Sequence, residues 1–234
     1  MRGTLVVLVL LPVVWFGTYV ASAQLLPANA PTSEASGAAE CGRLLVQPDD
    51  GIVFHAASTR VVLALDEEWR ERFGEDSTQV ARSLLVEAGG LFRSVDIHLL
   101  PIRVADWESP GQYTTAEQLL QVVRESVDRG DADIVVALTA QSLYGADGRA
   151  EVGGRYALIE QHPGHPERDA FVLAHEIAHL FGATHGCDLP GHDGVLATAG
   201  FAEPGLICPC TRQLLESNAA RFHQQAEAIE IASP

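Results

Sequence analysis

The sequence contains no lysine. All 15 of its basic residues are arginine, set against 31 Asp and Glu, and the formal net charge is −16. DNA, RNA and anionic membrane surfaces are recognised through clustered positive charge, so this balance argues against all three as targets and suits a soluble protein. Methionine is almost missing as well, since the only one in 234 residues is Met1. No tyrosine follows Tyr156, and there is no internal repeat. What is present is ordinary: 47% hydrophobic and 20% charged residues, enough for a core in a chain of about one-domain length.

The N-terminus reads as an export signal spanning residues 1–23. Arg2 supplies a positive start, Leu5 to Phe16 an apolar stretch, and Ala21-Ser22-Ala23 the small residues of a cleavage site before Gln24. Cleavage places the mature chain outside the cytoplasm, secreted or periplasmic. Left uncleaved, the stretch, which stays apolar to Val20, would be a membrane anchor. Residues 24–57 follow as a flexible linker or short pro-segment, rich in Ala, Pro, Ser and Gly from Leu25 to Glu40. Residues 58–234 remain for the folded domain.

Within that domain, apolar runs of strand length alternate with helical patterns. Strands are expected over Thr59–Asp66, Val95–Trp107, Ala132–Gln141 and Arg155–Gln161, the last of mixed polarity that suits an edge. Helices are expected over Ser77–Arg93 with Ser77 as cap, within Thr114–Gly130 with Thr115 as cap, Gln118 in the capping-box position and Gly130 after the end, over Glu167–Gly182, and over Thr211–Glu230. Such alternation predicts an α/β fold: a twisted, mostly parallel sheet backed by helices, plus a small loop-rich C-terminal subdomain with one helix.

The chemistry is concentrated in Leu173–Asp188, "LAHEIAHLFGATHGCD". His175 and His179 are four residues apart, so a helix stacks them on one face where both can bind a single ion. Gly182 falls where the helix should stop, and a glycine there can take positive φ and turn the chain sharply. That turn would return His185 as a third nitrogen ligand. Three protein ligands leave a position open, the arrangement of one catalytic Zn2+ ion. Glu176 stands beside the ligands and can take a proton from a water. The remaining histidines, His162, His165 and His192 in Gly/Pro loops and His55, His98 and His223 elsewhere, read as solvated or structural.

"HEIAHLFGATH" resembles the HExxHxxGxxH signature of the metzincin zinc endopeptidases. The runs "RVVLALDEEWRERFG", "LFRSVDIHLLPIRVADW", "ADIVVALTAQ" and "VGGRYALIEQH" are similar, in order, to elements of the adamalysin (reprolysin-like) branch. The resemblance covers about Thr59 to Phe222. It implies a zincin-like fold, His175, His179 and His185 as zinc ligands, Glu176 as general base, and "RYALIEQ" as the edge strand on which an extended peptide substrate pairs.

Three features depart from the family pattern. No methionine is available for the Met-turn, which should fall within Gly194–Ile207. No tyrosine follows the third histidine to act as a further ligand, and Gly186 stands where adamalysins have an aspartate, with Asp188 two residues on. The four cysteines, Cys41, Cys187, Cys208 and Cys210, suggest disulfides in an exported chain. Cys187 can pair with Cys208 or Cys210, leaving the other for Cys41. Cys41-Gly42 is also similar to the Cys-Gly of a cysteine switch, and the spacing is poor for a structural zinc site made of all four cysteines.

The expected function is therefore that of a monomeric, exported zinc endopeptidase acting on proteins or peptides, with no nucleic-acid partner. Two alternatives stay open: a non-catalytic exported zinc-binding interaction domain, and a zinc amidase acting on cell wall.

Overall fold

A computed structural model describes residues 57–185, Ile207 and 211–219, all within the compact unit Ser33–Pro234. The expected export signal, the expected linker up to residue 56, all four cysteines, Asp188 and most of the expected Met-turn stretch lie outside the described residues, while Ala57, expected to end the linker, opens the first strand. Among the described residues no helix is long and apolar enough to cross a membrane.

Strand β1 (Ala57–Leu65) is an inner strand of a five-stranded sheet. It alternates in the way a strand covered on both faces must: Val61, Leu63 and Leu65 enter one apolar cluster, Val62 and Ala64 the other. Asp66 ends it and caps α1 (Glu67–Phe73), accepting from the Trp69 N–H at 2.7 Å. A single 3₁₀ turn leads into α2 (Ser77–Gly90), so Ser77 opens the helix and does not cap it. A second such turn precedes β2 (Ile97–Asp106). Helix α3 (Ala116–Ser126) is capped as expected by Thr115, which accepts from the Gln118 N–H. Strand β3 (Ile134–Thr139) is buried throughout. It is followed by β4 (Gly148–Ala150), β5 (Tyr156–Glu160), α4 (Pro166–Leu180) and α5 (211–219).

The strand order is β2-β1-β3-β5-β4, parallel except for the antiparallel β4–β5 pair. The mostly parallel sheet is as expected, but the edge is not. Strand β5, which contains most of "RYALIEQ", is an inner strand between β3 and β4, and Ala157–Glu160 are buried. The edge belongs to β4, three residues with no apolar run to announce them.

Apolar residues of α2 and α4 pack on one face of the sheet, around Leu85, Ala88, Leu173 and Ile177. The other face is covered by α3 through Leu119, Leu120 and Val123. Leu214 and Leu215 of α5 join the first cluster, as does Ile207 from the end of the expected Met-turn stretch. Helix α4 therefore lies with its apolar side locked on the sheet.

Candidate metal centre

Helix α4 starts at Pro166, whose missing N–H costs nothing in the first turn, and carries Leu173, Ala174, Ile177 and Ala178 into the core. That burial fixes its rotation, and His175 and His179 come out on the cleft side, four residues apart. The helix ends by the expected device: Gly182 takes φ +89°, and Gly182 and Ala183 donate back to His179 O at 2.9 Å and Ala178 O at 3.1 Å. Buried Asn218 of α5 adds a side-chain amide on Phe181 O at 2.8 Å. The turn returns His185 to the helix face.

The three Nε2 atoms converge. His175 and His185 are 2.9 Å apart, and His179 lies 3.1 Å from each. Nδ1 of the buried His179 faces the Ala183 carbonyl at 2.8 Å; a carbonyl only accepts, so the proton is on Nδ1 and a lone pair is on Nε2. Burial lowers the His179 pKa to about 4, which keeps the ring neutral at pH 7. Imidazole nitrogens held about 2.0–2.1 Å from a tetrahedral zinc stand roughly 3.3 Å from one another, so the trio is of the size such an ion requires. A ring nitrogen held in one tautomer by a backbone carbonyl is the usual outer support of a metal-binding histidine. These residues fit a metal.

Glu176, one position round the helix, is buried against β4. Burial raises its carboxyl pKa to about 8, opposed by the charge of Arg149 and a backbone hydrogen bond from Ala150. Both helpers lie on β4, and so does Gly148, which leaves the space Glu176 fills: a Cβ there would meet Glu176 Cγ at 2.9 Å. A cleft of about 440 Å³ runs beside these groups, walled by the 145–150 segment on one side and by His175, Glu176 and His179 on the other.

Sequence reasoning located the three histidines and Glu176, and the structure brings all four to this cleft. It missed Gly148 and Arg149, which lie in a short segment with no periodic signal, and Asn218, whose helix is legible but whose bond to Phe181 O, 37 positions back, is not. It also read His162 as solvated, whereas its side chain is 16% exposed and lies among three carboxylates. His98, for which no partner was expected, pairs with Asp96 at 3.2 Å.

No curated protein matches the sequence. Among solved structures, a chain from "Structure of a chaperone-substrate complex" matches 72% of this chain at 13% identity with a TM-score of 0.57. The match covers 35% of that longer chain, so this protein spans about a third of its length, and the likeness concerns the fold alone. Archaemetzincin from Methanopyrus kandleri matches over 75% of this chain and 99% of its own, at 16% identity and a TM-score of 0.46. The profile of metallo-peptidase family M12 (Reprolysin_5) matches residues 56–205, so the chain belongs to that family.

Proposed function

We propose that the protein is a zinc-dependent endopeptidase acting outside the cytoplasm. The observation that carries this reading is the convergence of three Nε2 atoms within 3.1 Å of one another beside a buried carboxylate. His175, His179 and His185 would hold the ion. When bound, zinc supplies Lewis acidity toward a peptide carbonyl and lowers the pKa of a water. Glu176 accepts the proton of the attacking water and returns it to the leaving amine. Burial raises the Glu176 carboxyl to about 8, and its ionised form, already favoured by Arg149 and the Ala150 N–H, would be favoured further by a cation held beside it. Strand β4, the edge of the sheet among the described residues, would offer backbone groups to an extended substrate added as a sixth strand. The Arg2–Ala23 pattern supports export.

The test compares the zinc-loaded chain with Glu176→Ala on an unfolded protein substrate, at equal zinc content. General-base loss is expected to cost about 10²–10⁴ in rate. Equal cleavage by the two would remove Glu176 from the mechanism. A zinc-loaded parent that cleaves nothing, even after residues 24–56 are removed, would favour a non-catalytic zinc-binding domain. That second reading rests on one observation, the absence of any methionine after Met1.

A further inference from the structure

A second set of ligand-type side chains lies where β5 ends. Asp147 precedes β4, Glu160 is the last residue of β5, His162 follows two residues on, and Asp169 sits in the first turn of α4. One ligand atom each of Asp147, Glu160 and His162 falls within 4.8 Å of the others. His162 Nε2 is 3.4 Å from Asp147 Oδ1 and 4.0 Å from Glu160 Oε1.

The outer atom of each of these groups is already tied. Asp169, 2% exposed, faces His162 Nδ1 at 2.9 Å and accepts the His162 backbone N–H at 3.0 Å. Arg168 donates to Asp147 Oδ2, and the Leu143 N–H donates to Glu160 Oε2 at 2.9 Å. With Asp169 on Nδ1, the neutral ring presents a lone pair at Nε2, and the two inner carboxylate oxygens present only lone pairs. Three such acceptor atoms facing one another suit a cation between them. A proton on Nε2 fits poorly, because 3.4 Å and 4.0 Å exceed the 2.7–3.2 Å or so of an N–H···O bond. Ligand atoms about 2.0–2.2 Å from a zinc or manganese ion stand roughly 3.0–3.6 Å apart, which 3.4 Å meets and 4.0 Å nearly meets. The charge also suits a dication, since three carboxylates and the Arg168 guanidinium sum to −2.

We propose that Asp147, Glu160 and His162 form a second metal site for a divalent transition ion of the zinc or manganese type, with Asp169 as the outer carboxylate that orients His162. The ion ties the loop before β4 to the end of β5, and through Asp169 to α4. Because Asp147 adjoins Gly148, which packs on Glu176, the ion braces the wall of the cleft.

The test counts metal in the full chain, stripped with chelator and dialysed against Zn2+ or Mn2+. Two ions per chain are expected in the parent and one in His175→Ala/His179→Ala. Adding Glu160→Gln and His162→Gln to that double variant should weaken the remaining site at least tenfold. Asp147→Asn, which keeps an acceptor for Arg168 on a partly exposed side chain, makes the same test if the larger change prevents folding. A parent with one ion, lost with His175 and His179, would leave His162 as a structural clamp among its carboxylates and overturn the proposal. So would a second ion whose affinity is indifferent to Asp147, Glu160 and His162.

Discussion

Gly148 and Glu176 share a space that holds only one side chain. A Cβ on Gly148 would lie 2.9 Å from Glu176 Cγ, 3.0 Å from its Oε1 and 3.1 Å from the Leu158 carbonyl oxygen. The carbonyl belongs to inner strand β5 and has little room to shift, so the carboxylate must move. Gly148→Ala is therefore expected to lower kcat at least tenfold while zinc content stays that of the parent, because the atoms a Cβ there would meet first belong to Glu176 and Leu158 and not to the three histidines. Steady-state kinetics beside metal analysis checks this, and an unchanged kcat would show that the placement of Glu176 is not what the glycine protects. The same residue shows the limit of a one-dimensional reading. Glu176 is identifiable from its place between two histidines, but the glycine that makes room for it stands 28 positions earlier in a stretch with no pattern.

At the scale of elements, legibility tracks burial on two faces. Strands β1 and β3 and helix α4 announce themselves through long apolar runs or helical spacing, because both sheet faces and the buried helix side need them. Helix α1 has only Trp69 and Phe73 as apolar residues, one turn apart, too few to set a period. Strand β4 has three residues, and the polar flanks of β5, Arg155 and Gln161, give an inner strand the pattern of an edge. Thr115 and Gln118 are legible since a capping box is local chemistry.

The cap of α1 also yields a pH prediction. Burial raises Asp66 from 3.8 to about 6 in the folded protein, so between about pH 4 and 6 the folded state holds a proton that the unfolded state has released. Stability from this group is thus lost as pH rises through that window, by an amount on the order of 3 kcal/mol. Asp66→Asn keeps the oxygen that caps Trp69 and removes the titration. In metal-free protein the variant should gain stability relative to the parent from pH 4 to 6 and hold the gain above. Denaturant titrations at several pH values would show parallel curves if Asp66 does not titrate there.

For the whole molecule, the sheet and its covering helices form a core of apolar contacts, yet the third ligand depends on the chain beyond that core. His175 and His179 are placed by the burial of α4, whereas His185 is exposed and reaches the site only through the turn at Gly182. Asn218 secures the near side of that turn from α5, far along the chain. An ion held by all three histidines therefore links α4 to the segment after it, and binding to the folded state alone must stabilise the fold. At free zinc about 100-fold above Kd the gain is about 2.7 kcal/mol, which for a chain of this size raises Tm by roughly 5–10 °C. Glu176→Ala should keep most of that shift, because its carboxylate is not among the three nitrogens. His179→Ala should lose at least the share due to this site, since it removes the buried ligand whose tautomer Ala183 holds. Asn218→Ala should have a smaller shift than the parent, because it removes the amide that supports Phe181 O and with it one brace of the turn before His185. Calorimetry of the four proteins with and without chelator separates these outcomes. A parent whose Tm ignores zinc would mean that the three nitrogens do not act as one site.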